Sequence, residues 1–478
     1  MTTQQMQLLD AVDVYLDEGP GAPVLVGALR ASFMGGRTLA GSSFEYAPSY
    51  LTNPARYALS PDLPLVSGRQ HSGADTTLLG AFADVTPDDW GTGLIDAEYQ
   101  LQRGDSQPRT IGEFDHLVQQ NDLTRMGALR FTVPGSTPVS GVTPGPDQWL
   151  TAAQHTAPTQ HSVRRIAEAA TRFEEYEATD DDIEILRFAG SSLGGARPKA
   201  TIQDADGTLW MLKLPSNRDR RSDLEAWEAT ALDIAEQAGL RVPRHTLVRL
   251  AEHESSLLIE RFDRQGAPDR GQHRVGFISA MTAMQLTRQN QRATYADFAD
   301  TVDHLALDHS GEDLRELFQR VALTVLVGNV DDHWKNHGFL REGSSWRLSP
   351  LYDVNPTRAG SRVRSRAITD RDEPANRDIR HLIDSSQVYR LNASDAADAL
   401  VPVLRAVAKW PQIAAGNGIA AAEIKSMASA FDETQFEFAE KFAATHQSQN
   451  GTKSLSGRRL GSPELHQDAA DATELERN

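Results

Sequence analysis

The chain has 478 residues, enough for about three domains or for one two-lobed fold with an extension. Its 66 acidic against 48 basic side chains give a formal charge of -18, a surface that repels nucleic acid unless basic residues cluster. The absence of cysteine excludes disulfides, thiolate zinc sites, iron–sulfur clusters and a cysteine nucleophile, and it fits a reducing cytoplasm.

The N-terminal MTTQQMQLLDAVDVYLDEG carries early acids and no apolar core of a signal peptide. The best apolar run, VALTVLVG (321–328), suits a buried helix and is too short to cross a bilayer. A cytoplasmic protein without membrane contact is expected. AVDVYLD, VLVGALRA and SSFEYAPSYL read as strands between Gly-rich turns, and GALRFTV closes this first unit, placed at 1–133. Residues 134–160, rich in Pro, Gly, Ser and Thr, read as a linker or long loop.

Residues 161–178 have a helical stripe of Ile166, Ala169, Phe173 and Tyr176. EILRFAG, TIQDADGTLWMLKLP and TLVRL…SSLLIERFD then predict an antiparallel sheet, with Asp206-Gly207 as a hairpin turn. Between the second and third of these, SDLEAWEATALDIAEQAG predicts a helix capped by Ser222 or Asp223 and ended by Gly239. From about 280 onward helices dominate, over 294–306, 312–329, 394–409 and 420–444. Residues 446–478 hold almost no large apolar side chain and are expected to be a disordered tail.

Four segments carry candidate chemistry. In SSLGGARPKA (191–200), Gly194 and Gly195 let the backbone approach a ligand and Lys199 adds charge. Lys213 alternates with apolar neighbours on a buried strand, so it needs an anionic partner, and the next helix offers Glu225 and Glu228. In GNVDDHWKNHGF (328–339), Asp331 can accept a hydroxyl proton while Asn336 holds a metal, and Lys335 can neutralise a transferring phosphoryl group. His333 reads as a hydrogen-bonding scaffold residue. In WRLSPLYDVNPT (346–357), Asp353 stands just past a strand end, where a carboxylate can ligate Mg²⁺.

The order is Gly-rich turn, strand Lys, helix Glu, Asp-x4-Asn loop and strand-end Asp, the sequence of parts of a two-lobed protein kinase. The expected fold is α+β: a β-rich N-lobe over 161–262, an all-helical C-lobe over 263–445, and a small β-rich N-terminal domain before them. The usual eukaryotic signatures GxGxxGxV, HRD and DFG are absent. A rival reading takes His333 and His337 as an i, i+4 metal pair of a hydrolase, but the Glu expected after the first His is missing.

SSLGGARPK, WMLKLP, LLIERFDR, GNVDDHWKNHGF and LSPLYDVNP, with FEYAPSYL…LSPDLPL upstream, resemble the HipA family of bacterial serine/threonine kinases. These kinases are the toxin components of persistence-related toxin–antitoxin pairs. The resemblance covers roughly residues 10–445. It implies Asp331 as the catalytic Asp, Asn336 and Asp353 as Mg²⁺ ligands, and Lys213 on the ATP phosphates, positioned by Glu228. It further implies a hinge beside adenine at Glu260 to Phe262 and a phosphate-covering loop from Ser191 to Lys199, including Gly194, Gly195 and Ala196. Autophosphorylation of Ser192, with Ser191 as second candidate, would eject that loop as an off switch. The partners implied are a protein substrate, with aminoacyl-tRNA synthetases among family targets, and a small DNA-binding antitoxin. The loop departs from some members in carrying Pro198 where they have an acidic residue. RVGFISAMTAM (274–284) lacks the polar pattern of better-known members.

Residues 357–381 hold seven arginines against four acids in a chain that is otherwise acidic, and are expected to meet an acidic or RNA-bearing substrate. The -18 charge argues against DNA binding by this chain alone. The alternative from another class is a catalytically silent, kinase-like binding protein that acts through an antitoxin partner.

Overall fold

The structure is a computed structural model that describes residues 6–135, 143–151, 162–189, 195–217, 222–266, 272–358, 366–374 and 377–447. The first unit follows the alternation of its strands. It runs β1 (Ala11–Leu16), β2 (Val24–Phe33), β3 (Leu39–Tyr46), α1 (Pro48–Leu51), β4 (Arg69–His71), α2 (Gly80–Ala83), α3 (Asp89–Gln102), α4 (Glu113–Gln119) and β5 (Leu129–Thr132). The strands form an antiparallel sheet in the order β4-β3-β2-β1-β5. Val12, Val14, Val26, Leu29 and Phe44 bury one face against Phe82, Phe114 and Leu117 of the helices. Part of the expected linker packs on this unit. Trp149 lies edge-on to Tyr15 at 5.3 Å, beneath the Arg130 guanidinium.

The next elements are α5 (Val163–Glu174), α6 (Asp180–Ala189), β6 (Lys199–Gln203), β7 (Leu209–Lys213), α7 (Leu224–Gln237), β8 (His245–Ala251) and β9 (Glu254–Glu260). The sheet order is β6-β7-β9-β8, all antiparallel. The β6–β7 connection carries the expected Asp206-Gly207 turn, with Gly207 at φ +87° and the Asp204 carboxylate accepting from the Asp206 and Thr208 amides. EILRFAG does not form the expected strand; its described residues end α6 instead. Asp180, Asp181 and Asp182 favour a helix N-terminus, and Thr179 and Asp182 cap each other there.

After a short β10 (Arg264–Gln265) and β11 (His273–Arg274) pair come β12 (Phe277–Ser279), α8 (Ala280–Ala283), α9 (Tyr295–Leu305), α10 (Ser310–Leu326), β13 (Gly338–Glu342) and β14 (Ser345–Leu348). Then follow α11 (Ile379–Asp384), α12 (Ala393–Val407), α13 (Trp410–Gly416), α14 (Ala421–Met427) and α15 (Glu433–His446). The C-terminal part is mainly helical, as expected, but a three-stranded sheet in the order β12-β13-β14 interrupts the helices. The helix expected over 420–444 is two helices. Asp432 breaks it by accepting from the amides of Thr434 and Gln435, which starts α15 afresh. Residues 448–478, where a disordered tail was expected, lie outside the described residues.

The helix α7 joins the two halves. Ala229 and Leu232 pack against Met211, Leu257 and Ile259 of the sheet. Ala226, Trp227 and Ile234 enter the large core formed by α9, α10, α12 and α15. The Trp227 indole also donates to Glu423 at 2.8 Å. The helix is therefore held on both sides.

A buried ionic cluster ties the first unit to the chain after β9. Asp263 accepts from Arg261 at 2.7 Å, Arg264 at 2.6 Å and the Gly127 amide at 2.7 Å. Arg261 and Arg264 in turn donate to the carbonyls of Leu123, Thr124 and Arg125. Burial pushes Arg264 down to about 9, with Asp263 opposing it. Removing one member of such a cluster leaves an uncompensated buried charge. Asp263→Asn is expected to cost about 3–5 kcal/mol of stability, measured from the urea midpoint at constant slope. A midpoint within error of the wild type would show that the cluster does not hold the units together.

Candidate functional site

The alternation of β7 decides where its lysine points. Trp210 and Leu212 enter one core while Met211 enters another beneath α7, so Lys213 shares the Met211 face and meets that helix. Its ammonium lies 2.7 Å from both carboxylate oxygens of Glu228 and 2.7 Å from Asp353 Oδ1. Glu228 rather than Glu225 supplies the helix carboxylate. Glu225 is buried apart, and burial pushes its carboxyl up to about 8. The Asp353 amide also donates to Glu228 Oε1 at 3.2 Å.

Burial would raise the Asp353 carboxyl, but Lys213 outweighs it and holds it down to about 2. Glu228 is raised by burial and by the Asp353 charge, against the pull of Lys213. Lys213 is itself driven above its ordinary value by the two carboxylates, against burial. One ammonium and two carboxylates leave the triad with net negative charge, so it can receive a further cation.

Asp353 sits at φ +58°, a left-handed conformation that a non-glycine side chain adopts at a cost. Its neighbours hold it there. The Tyr352 hydroxyl donates to the Lys335 carbonyl at 2.8 Å, and its ring stacks on Phe262 at 5.3 Å. Pro356 bridges to Asn329, and the Thr357 amide donates to the Gly328 carbonyl at 3.1 Å. The Asp353 segment and the 328–337 loop are thereby zipped together.

In that loop Asp331 and Lys335 are exposed, and Asn336 is buried. The Asn336 amide nitrogen donates to the Asp331 carbonyl at 3.0 Å, which leaves its oxygen as the donor atom for a cation. Asn336 and Asp353 together offer only oxygen, the set that suits Mg²⁺. Among the described residues no cluster of three or more His, Asp or Glu forms a metal site. His333 is held below the ordinary imidazole value by burial, although Asp353 and Asp331 pull it upward.

The loop hangs on Asp332, a residue that the sequence reading passed over. Its carboxylate takes His337 Nε2 at 2.9 Å and Arg377 Nη1 at 2.8 Å, and it accepts from the Tyr295 hydroxyl. Arg377 also donates to the Asn329 carbonyl. His337 therefore faces the interior, which removes it from a metal pair with His333. Arg377 belongs to the basic stretch expected to meet substrate, but it is a buried structural residue. Arg366 donates to Gln291 at 2.5 Å, while Arg362 and Arg364 lie outside the described residues. Only an i, i+5 pairing of Asp332 and His337 hinted at this hub in the sequence.

The structure thus brings Lys213, Glu228, Asp353 and the Asp331–Asn336 loop to one place, with Phe262 alongside. Glu260 pairs with Trp210 across the sheet and with the Arg244 guanidinium. Gly195 and Ala196 are exposed, and Gly195 has φ +107°. Lys199 stands opposite Lys213 in the sheet register, and its ammonium is taken by Asp88 of the first unit at 2.5 Å. Ser191, Ser192 and Gly194 lie outside the described residues.

A strand lysine tied to a helix carboxylate, facing an Asp–Asn loop and a strand-end Asp, is the layout of a kinase-like phosphotransferase site. Comparison with known proteins places it further. Residues 191–411 match the family model of the HipA-like C-terminal domain, and that part of the chain belongs to this domain family. The fold is similar to that of a chain in the Shewanella oneidensis toxin–antitoxin complex of HipA, HipB and operator DNA. There the TM-score is 0.61 at 16% identity, over 90% of this chain and 96% of the other. A proinflammatory kinase of Helicobacter pylori, CtkA, aligns over 52% of this chain at a TM-score of 0.38. The kinase candidate Y4dM of Sinorhizobium fredii is 27% identical over 166 residues, 32% of this chain and 39% of that relative's length. Residues 191–411 are therefore a HipA-like C-terminal domain, and the chain as a whole shares the fold of the Shewanella HipA–HipB complex chain. No helix among the described residues is long and apolar enough to cross a membrane.

Burial would raise the Asp332 carboxyl, but His337, Arg377 and Tyr295 together hold it well below the carboxylate range. A depressed folded value means that its stabilisation is present above the unfolded value of about 3.9 and is lost as pH falls below it. Asp332→Asn is expected to lower the melting temperature at pH 7 and to flatten its decline between about pH 4 and pH 2. An unchanged acid limb in that variant would show that Asp332 is not the linked group.

Proposed function

We propose that the chain is an ATP- and Mg²⁺-dependent serine/threonine protein kinase. The observation that carries this reading is the Lys213–Glu228–Asp353 triad. A helix and a post-strand segment converge on one strand ammonium, each at 2.7 Å, beside an exposed Asp331. Lys213 would hold the ATP phosphates, with Glu228 fixing the ammonium. Glu260 to Phe262 would border the adenine through backbone groups. Held by Asn336 and Asp353, Mg²⁺ would neutralise charge on the phosphate oxygens.

In the transfer, the substrate hydroxyl gives its proton to the Asp331 carboxylate while its oxygen forms a bond to the γ-phosphorus. The bond from that phosphorus to the β,γ-bridging oxygen breaks, and ADP leaves. Lys335, exposed in the same loop, would meet charge on the group in transit. Phosphorylation of Ser192 or Ser191 in the chain's own Gly-rich loop would silence the site, because a phosphoserine adds about two negative charges beside the nucleotide phosphates.

The similar Shewanella chain occurs in a complex with HipB and operator DNA. For this chain we propose, likewise, a small DNA-binding antitoxin as partner, since a charge of -18 gives it little hold on DNA by itself. A cytoplasmic aminoacyl-tRNA synthetase is the protein substrate that the family resemblance suggests.

Intact-mass spectrometry with phosphosite mapping, on chain incubated with Mg-ATP, tests the reading. The wild type should gain phosphate, and Asp331→Asn should lose about 10²–10⁴ of the rate. Lys213→Met should lose nucleotide binding. ATP binding without turnover, indifferent to Asp331→Asn, would instead make the chain a kinase-like scaffold, and absence of both binding and turnover would sink the kinase reading.

A further inference from the structure

Lys199 and Lys213 stand directly opposite each other in the β6–β7 register. Like charges in such a pair repel. Lys213 is compensated by Glu228 and Asp353, both from the two facing halves of the site. The carboxylate for Lys199 comes from outside them, from Asp88, whose sequence position is 111 residues away. Both side chains of this pair are almost completely buried, at 3% and 4% exposed.

We propose that Asp88 is a positioning residue for the candidate nucleotide site, with Lys199 as the handle by which the first unit holds the Gly195–Lys199 turn. This rests on the kinase reading above. Asp88 is itself immobilised. Its Oδ1 accepts from the Gly91 amide at 2.8 Å as the cap of α3, which leaves Oδ2 for Lys199. Two residues on, the Trp90 indole donates to the Lys199 carbonyl at 3.0 Å. Side chain and backbone of Lys199 are thus both gripped by one helix start. From the ammonium a further bond of 3.3 Å runs to the Gly195 carbonyl. A chain of contacts therefore leads from Asp88 through Lys199 to the turn.

The same segment grips the opposite wall. Asp84 accepts from the amide and the hydroxyl of Ser279, both at 2.7 Å. The next residue, Ala280, donates its amide to the His337 carbonyl at 2.8 Å, adjacent to Asn336. Asp84 ends α2 and Asp88 caps the start of α3, so the short connection from Asp84 to Asp88 ties the Gly-rich wall and the Asp–Asn wall to one piece of backbone. Lys199 acts on the site through the turn it holds, and its charge also helps to lower the Asp353 carboxyl.

The test uses the full chain with Asp88→Asn, Lys199→Met and the double variant, and Asp75→Asn as an exposed control. Asp88→Asn should raise the KM for ATP about tenfold, within the usual range of coupling between sites, with kcat within roughly threefold of the wild type. Lys199→Met should do the same, and the double variant should be no worse than the worse single one. Hydrogen exchange at the amides of residues 199–203, without nucleotide, should quicken in each. If Asp88→Asn folds poorly, the double variant restores the fold, because removing both members of a buried pair leaves no stranded charge. An unchanged KM in Asp88→Asn, or single effects that multiply in the double, would overturn the proposal. If no form of the chain uses ATP, the kinase reading fails by itself. Exchange then still decides the clamp, and unchanged protection in Asp88→Asn would overturn it.

Discussion

The one contact on which the site depends is the ammonium of Lys213 between Glu228 and Asp353. A lysine on a buried strand is too costly to leave unpaired, so the chain must bring carboxylates to it. It brings them from two places 15 and 140 residues away, and each arrives on a segment already fixed by packing. Glu228 rides on α7, which is wedged between the sheet and the helical core by Met211 on one side and Trp227 on the other. Asp353 follows Tyr352, pinned by its hydroxyl and by Phe262. The triad is consequently a readout of how the two halves sit, and a small shift in either breaks a 2.7 Å contact.

The first unit constrains the same relation from outside. It touches the chain after β9 through Asp263 and its arginines, the Gly-rich turn through Asp88, and the opposite wall through Asp84. Glu18 adds a fourth contact, accepting from the Gly276 amide at 2.8 Å and from Tyr57. These grips reach the two walls and the connection between them. A separate unit that holds all three fixes their spacing before any nucleotide arrives, and preorganisation of that kind lowers the cost of binding.

The sequence shows the parts whose requirements are local. Lys213 betrays itself by alternating with apolar residues, and α7 by its cap at Asp223 and its stop at Gly239, which has φ +81°. The Asp331–Asn336 spacing survives as a real hydrogen bond across the loop. Pairings between distant residues leave no such trace. Asp88 reads only as a helix cap, which it is, and nothing nearby announces that its second oxygen serves Lys199. Arg377 reads as one of seven arginines in a basic stretch, while its partner Asp332 lies 45 residues earlier. EILRFAG has the composition of a strand, yet its described residues are helix because the three aspartates before it favour a helix start.

Buried ion pairs recur at several of these joints, and their energetics explain what they do there. An apolar interface of the same volume would often be as stable, so stability is a weak reason for placing charge inside. Such an interface would also tolerate small slides, because dispersion contacts are individually weak and lack direction. A carboxylate that takes two or three donors from separate elements fixes distance and angle together, and losing any donor strands a charge. Asp263, Asp332 and the Lys213 triad are each of this kind. Their common effect is to make the arrangement of first unit, sheet and helical part close to all-or-none. In a candidate site that sets Glu228 and Asp353 on one ammonium, that discreteness is what keeps the 2.7 Å geometry.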